Sequence, residues 1–348
     1  MPVKRPVLAK LRAPALCFLV VTLAPAAPAR SGAEQAAFFQ SDDVLAVTIR
    51  TDLRALLRDR DTAAVPWRTA TLTYAGPDGA VTVPLRLRTR GTFRLTHCDF
   101  PPIRLRFGED DVSGTLWEGL RRPKLVTHCM NSTEYEQYLL QEYAIYRIYQ
   151  LFTPVSLSAR LLRVTYEDAA GAVRPVTRYA FVTEDPERFA ERLGGTLVNE
   201  EGVQLARLAR SHTAQLSVFQ YLIANTDWGV PPLHNIMLLR TDTLYAAPCD
   251  FDWSGAIATS YARPVSALRI RSVRERRYRG LCQTAQNMEP VLARFETLRD
   301  SIAAVYRAVP GLDRRIVERT LRYYDEFYRA IADRQRFEQQ VVAPTCTW

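Results

Sequence analysis

The chain has 348 residues, 46 of them Lys or Arg and 37 Asp or Glu, for a formal net charge of +9. With 47% hydrophobic and 24% charged residues it has the make-up of a folded chain with a full core, not of a long disordered one. The basic excess does not by itself point to nucleic acid, because no basic run is interleaved with aromatics.

The first residues carry part of that charge. Lys4, Arg5, Lys10 and Arg12 precede an apolar stretch from about Ala13 to Leu23, and Ala27-Pro28-Ala29 follows. This is the layout of a secretory signal peptide over residues 1–29. The apolar run is too short to span a bilayer, so the expectation is an exported protein, periplasmic or extracellular, with no stable membrane span after cleavage. Cleavage leaves 42 basic against 37 acidic residues, and Lys124 becomes the one Lys.

Residues 30–43 read as a loose lead-in, and Val44 to Arg50 as a strand. Thr69 to Tyr74 and Val81 to Thr89 alternate apolar and polar around Gly76-Pro77-Asp78-Gly79, a hairpin signal. Ile103 to Phe107 and Lys124 to Thr127 give two more strands. Glu134 to Phe152 lacks Gly and Pro and reads as a helix, capped from Asn131-Ser132-Thr133. Arg160 to Tyr166 and Arg178 to Val182 read as paired strands around Ala169–Gly171, and Pro186 to Leu193 as a short helix closed by Gly194-Gly195. Val203 to Ala224 reads as a long helical stretch and Asn225 to Asn235 as a loop. Ile236 to Leu239 and Leu244 to Ala247 form a small hairpin. From Met288 to about Gln340 the chain reads as helical, interrupted near Pro310-Gly311. Strands dominate the first half and helices the second, an α+β order that suggests two lobes. The expected boundaries are a β-rich part with one helix over 30–185 and an α-rich part over 186–348.

Six cysteines are present, and Cys17 lies inside the leader. Cys98 and Cys129 each follow Thr-His, so His97 and His128 with the two thiols offer a zinc set. Adjacent residues on a strand point to opposite faces, which favours a Cys98–Cys129 disulfide over zinc. The pairing of Cys249, Cys282 and Cys346 stays open.

The chemistry concentrates in three segments: Asn225-Thr226-Asp227-Trp228, then His234-Asn235 before a strand, then Pro248-Cys249-Asp250-Phe251-Asp252-Trp253 after the return strand. Asn and Asp at the ends of one hairpin supply the oxygen ligands that magnesium takes, and an Asp in the preceding loop can accept a hydroxyl proton. This order resembles the catalytic segment of protein-kinase-like enzymes, and more closely that of the CotH-like secretory kinases; its Asn-Thr-Asp start is similar to that of HipA-type kinases. The resemblance covers about residues 85–260. It implies a two-lobed protein-kinase-like fold, with ATP and Mg²⁺ or Mn²⁺ between a β-rich N-terminal lobe and an α-rich C-terminal lobe. By position, Asp227 is then the catalytic Asp, and Asn235 and Asp250 are metal ligands with Asp252 as the alternative. Upstream, Arg90-Gly91 matches an early turn, Lys124 the phosphate-holding Lys, Glu142 its helix partner with Glu136 as second choice, and Glu184 the end of a strand pair.

The single Lys gives a separate argument. Where any cation serves, this chain uses Arg, and a compact ammonium in a tight site is not replaceable by a guanidinium. The chain departs from ordinary kinases in the longer gap between Asp227 and Asn235, and in having no Gly-x-Gly-x-x-Gly loop. The expected function is an exported ATP-dependent transfer to a hydroxyl acceptor, with protein Ser or Thr implied by the resemblance. The competing readings are a non-catalytic cell-envelope binding protein and a metal hydrolase using the same acids.

Overall fold

A computed structural model describes residues 1–2, 36–61 and 64–346. Every element below lies in the unit that begins after Ser31 and ends at Trp348. The leader, 1–29, lies outside the described residues apart from Met1 and Pro2.

In chain order the first strands are β1 (Leu45–Thr51), β2 (Arg68–Gly76), β3 (Gly79–Thr89), β4 (Ile103–Arg106) and β5 (Lys124–Val126). Short helices punctuate them: α1 (Leu53–Arg58), α2 (Phe93–His97) and α3 (Glu109–Val112). Helix α4 (Thr133–Gln150) follows, then β6 (Ala159–Asp168), β7 (Val176–Thr183), α5 (Pro186–Arg192) and β8 (Thr196–Val198). Helix α6 (Arg210–Leu222) leads to β9 (Ile236–Arg240) and β10 (Leu244–Pro248). The chain ends in α7 (Ala285–Thr297), α8 (Arg299–Ala308), α9 (Arg314–Ala332) and α10 (Arg334–Phe337).

The β2–β3 hairpin forms where the alternation indicates. Gly76 pairs with Gly79 across the two-residue turn Pro77-Asp78. Gly79 sits at φ +130°, a conformation that a side chain would resist. Leu72, Val83, Leu85 and Leu87 point inward and are buried. The strands join in the order β1-β2-β3-β4-β5-β7-β6, and β6 returns to pair in parallel with β1, from Leu45 opposite Leu162 to Thr51 opposite Asp168. The sheet is therefore a closed seven-stranded barrel. Its interior is filled by residues such as Ile49, Leu72, Leu105, Trp117, Leu125, Val164 and Val182.

The closure corrects the expected two-lobed, protein-kinase-like fold. A sheet closed on itself has no edge left, and the two-lobed arrangement with its helical C-terminal lobe is not what the chain builds. The alternation of apolar and polar residues reports strands and their inward faces, but it is silent on which edges join.

Helix α4 is capped by Ser132, whose hydroxyl accepts from the backbone N–H of Tyr135. It is buried on nearly every side, and Leu140, Ala144, Ile145 and Ile148 are fully covered. One side faces outward-pointing barrel residues such as Leu161 and Phe181, and the rest shares a second core with α6, β9, β10 and α7–α9. That all-round burial explains why its sequence carries no clear polar stripe.

Other expectations shift in extent. The long helix expected over 203–224 is α6 alone, preceded by extended chain and one short 3₁₀ turn. The lead-in is not wholly loose: Ala37–Phe39 forms a 3₁₀ turn whose Phe38 and Phe39 are buried in the barrel cluster. Cys98 and Cys129 are joined in a disulfide, and a second one joins Cys282 to Cys346, leaving Cys249 as the free thiol among the described residues. Zinc at the two Thr-His-Cys segments is thereby excluded, since both thiols are consumed. Two disulfides fit an oxidising compartment. No helix among the described residues is long and apolar enough to cross a membrane.

Candidate active site

The open end of the β9–β10 hairpin holds the site. Ile236 pairs with Pro248, and one step further the backbone N–H of Cys249 donates to Asn235 O at 3.0 Å. Asn235 and Asp250 are thus brought side by side by local pairing. Both adopt left-handed backbone, with φ of 53° and 61°. Asn and Asp tolerate that region better than most residues, and such conformations gather at functional sites. The Asp250 N–H donates to the buried Tyr146 hydroxyl of α4 at 2.8 Å, which fixes the turn. Beyond it, Gly255 donates its N–H to Ala224 O. A Cβ at Gly255 would meet Val273 O at 2.3 Å, so only glycine permits this approach.

Asp227 reaches the same place from the loop after α6. Its N–H is held by Asn225 Oδ1 at 2.9 Å. Asn235 Nδ2 donates to Asp227 O at 2.8 Å and to its Oδ2 at 3.0 Å. His234 Nε2 lies 2.8 Å from Asp227 Oδ1. Committing the Asn235 amide N–H groups to Asp227 leaves Oδ1 as the atom it can offer a cation. Arg279 closes the loop from behind, donating to Thr226 O at 2.6 Å and to Trp228 O.

A cavity of about 380 Å³ opens over these groups. Its walls include Asp227, Asn235, Asp250 and Asp252 on one side, and Arg90, Thr92, Phe93 and Arg94 on the other. Of the sequence-derived residues, the structure therefore gathers Asp227, Asn235, Asp250, Asp252 and Arg90 in one cleft. Lys124 is close enough to influence Asp250 and Cys249 electrostatically. Glu142 lies below the acids.

Two poles of opposite charge result. The acid pole is Glu142, Asp250 and Asp252, with the Arg94 guanidinium 3.8 Å from Glu142 and 3.9 Å from Asp252. Burial pushes the Asp252 carboxyl up to about 7, with the Asp250 charge adding to it. Tyr261 donates its hydroxyl to Asp252 Oδ2 at 2.8 Å. Burial, then Asp252 and Asp250, raise Glu142 well above the carboxylate range. Burial also opposes ionisation of Asp250, but Arg90, Arg94 and Lys124 outweigh it and hold that carboxyl low. Glu142 and Asp252 thus share the Arg94 guanidinium, while Asp250 also feels Arg90 and Lys124, and burial favours a proton on the first two.

The cation pole is Lys124, Arg90 and Arg104. Burial lowers Lys124 below its ordinary value, and Arg90 and Arg104 add to this. Among the described residues none of these three forms an ion pair. The expected Lys124–Glu142 pair is not formed: Glu142 is bound by Arg94. Glu136 accepts from Arg163 and from the Tyr179 N–H, away from the cleft. Glu184 is held by Arg192 through two bonds of 2.9 Å, a buried structural pair outside the cleft walls.

Sequence reasoning missed Arg94, Tyr146, Tyr261 and Phe93. Phe93 is 41% exposed at the cleft rim, with its ring edge-on to Trp253 at 5.4 Å. The only available signal was Arg90-Gly91-Thr92-Phe93-Arg94 following a strand, which reads as an ordinary turn.

No three His, Cys, Asp or Glu side chains among the described residues are grouped as a metal cage. The ligands on offer are two carboxylates and an amide oxygen. That set suits a cation such as magnesium, which keeps waters and takes phosphate oxygens for the rest of its shell. Asn235, Asp250 and Asp252 are thus the side chains here that could hold a divalent cation. No protein-family model matches the chain, and no curated protein matches it.

Proposed function

We propose that this cleft binds a nucleoside triphosphate with Mg²⁺ or Mn²⁺ and transfers the terminal phosphoryl group to a hydroxyl acceptor, in an exported protein. The observation that carries the reading is one cleft that sets Asp227, Asn235, Asp250 and Asp252 against Arg90, with the buried Lys124 near enough to act on Asp250. A triphosphate supplies negative charge to Lys124, Arg90 and Arg104. Asp250, Asn235 and Asp252 would hold the divalent cation, which would neutralise charge on the phosphate oxygens.

The chain's own residues do the rest. Asp227 is pinned by Asn235 and His234 yet keeps carboxylate lone pairs free, so it can orient an acceptor hydroxyl and accept its proton. As the acceptor oxygen bonds to the γ-phosphorus, the bond to the β–γ bridging oxygen breaks and the nucleoside diphosphate leaves with the electron pair. Arg94 holds Glu142 and Asp252 in place and thereby sets the position of the Asp250–Asp252 turn. ATP as the donor, and the likeness to CotH-like secretory kinases, rest on these site residues alone and not on the fold. A non-catalytic binding role is the second reading. It is favoured by the missing Lys124–Glu142 pair, which kinase-like catalysis uses.

Thermal melting with ATP and each metal separates the two. A ligand at a hundredfold excess over its Kd adds about 2.7 kcal/mol, several degrees for a chain of this size. The shift is expected only when nucleotide and metal are present together, and Lys124→Ala and Asp250→Ala should abolish it. Asp227→Asn should keep the shift and lower transfer to a Ser- or Thr-bearing acceptor by about 10²-fold or more. If the wild-type protein shows no shift with either metal, the reading fails; a shift without any transfer leaves the binding role.

A further inference from the structure

The cation pole continues outside the cleft. Strand β3 alternates Leu85, Leu87 and Thr89, which face the barrel interior, with Arg86 and Arg88, and Arg90 follows directly. On β4, Ile103 and Leu105 face inward while Arg104 and Arg106 face outward. The register sets cation against cation: Arg86 opposite Arg106, Arg88 opposite Arg104, and Arg104 opposite Lys124 on β5. Like charges directly opposite across a sheet are destabilising. A barrel needs no such row for its own closure, since its core lies on the other face.

The carboxylates near this face do not neutralise it. Asp185 is spent on the backbone N–H groups of Arg121 and Arg122 at 2.9 Å, and Glu187 pairs with Arg122 at 3.2 Å. Asp111 remains, lining with Arg86 and Arg106 a second cavity of about 490 Å³ at the far end. The Arg104 guanidinium is lowered to about 10 by burial and by Arg90, with Arg88 adding to it. The strip therefore runs from the reacting cleft at Arg90 to an open groove at Arg86 and Arg106.

We infer that this outer face of β3–β5 is the docking strip for an acidic polypeptide segment of the acceptor, one that carries Asp or Glu beside the hydroxyl to be modified. Alternate residues of a strand stand about 6.6–6.8 Å apart, which is also the spacing of alternate side chains in an extended bound segment. Arg90, Arg88 and Arg86 thus match acids placed two and four residues beyond the one nearest the cleft. The strip does not suit single-stranded nucleic acid, which needs open aromatic platforms. The ring that lies against the strip itself, Trp67, is covered by the Arg88 guanidinium at 4.6 Å and flanked by that of Arg106 at 5.7 Å.

The role as acceptor site rests on the phosphotransfer reading, but docking is measurable without nucleotide. Fluorescence anisotropy is read with a labelled peptide of one Ser flanked by Glu runs, with its Lys counterpart, and with an oligothymidine of similar length. The Glu peptide is expected to bind, to weaken as salt rises, and to weaken about tenfold or more in Arg86→Glu/Arg106→Glu. The Lys peptide should not bind. Both substituted positions are exposed, and a second variant, Arg86→Gln/Arg106→Gln, should show a smaller loss in the same direction with a melting temperature no lower than that of the wild type. Equal binding by wild type and both variants, or tighter binding of oligothymidine than of the Glu peptide, overturns the inference. Absence of an ATP-dependent thermal shift leaves this result standing and removes only the transfer role.

Discussion

Replacing Arg94 by Leu tests the acid pole directly. The guanidinium lies 3.8 Å from Glu142 and 3.9 Å from Asp252, and its side chain is only 13% exposed. At an effective dielectric near 20, each contact with a full negative charge is worth about 4 kcal/mol. The desolvation of Arg94 offsets part of that, and Asp252 is only partly ionised. The net loss expected at pH 8 is therefore about 3–5 kcal/mol, the usual cost of breaking a buried pair on one side. The pH dependence carries more information. Carboxyls raised in the folded state bind more protons there than in the unfolded chain, so they erode stability as pH rises from the unfolded carboxyl pKa through the folded one. Wild-type Asp252 titrates at about 7, and without Arg94 both Asp252 and Glu142 move higher. The loss in Arg94→Leu should thus be larger at pH 8 than at pH 5.5, by about 1.4 kcal/mol per pH unit for each extra proton held. Guanidinium chloride melts of both proteins at the two pH values measure this. A loss below about 1 kcal/mol at pH 8, or one equal at both pH values, would refute the charge-sharing account.

Two further outcomes follow from the fold. His128 is buried, both ring nitrogens lack hydrogen-bond partners, and burial, then Arg178 and Arg94, lower it to about 3. A depressed folded pKa gives stability that is complete above about 6.5 and lost as pH falls toward 3, so His128→Leu should gain about 2–3 kcal/mol relative to wild type between pH 7.5 and 4.5. The same difference at both pH values in denaturant melts would count against it. Cys282→Ser/Cys346→Ser opens a loop of 64 residues and should cost about 4 kcal/mol in the same assay, while a peptide map showing free thiols at both positions in the wild type would remove the basis for that figure.

Much of the local structure is written in local pattern. The period-two alternation over Thr69 to Thr89 and the Gly-Pro-Asp-Gly turn specify a hairpin before any partner is known, because pleat and turn chemistry act within a few residues. Ser132 and the unbroken apolar run after it specify α4. The Asn235–Asp250 juxtaposition is likewise legible, since a short hairpin must bring its two ends together. These were the strongest elements of the site, and they owe nothing to long-range contacts.

What the sequence could not determine depends on register between distant segments. The parallel pairing of β1 with β6 joins residues more than a hundred positions apart, and it turns an apparent open sheet into a barrel. No periodicity encodes that closure, so the resemblance in motif order suggested a two-lobed fold that the chain does not adopt. The same holds for charge partners. Glu142 was matched to Lys124 by position, yet the α2 turn delivers Arg94 instead, because tertiary packing places that turn over α4. The opposed cations of β3, β4 and β5 appear in sequence as scattered Arg. Only the register makes them a row, since a side chain's neighbours across a sheet are set by strand pairing and not by chain distance. Composition marked Lys124 as the one Lys outside the leader; the folded chain decided that it stands near Arg90 and Arg104 and within electrostatic reach of Asp250.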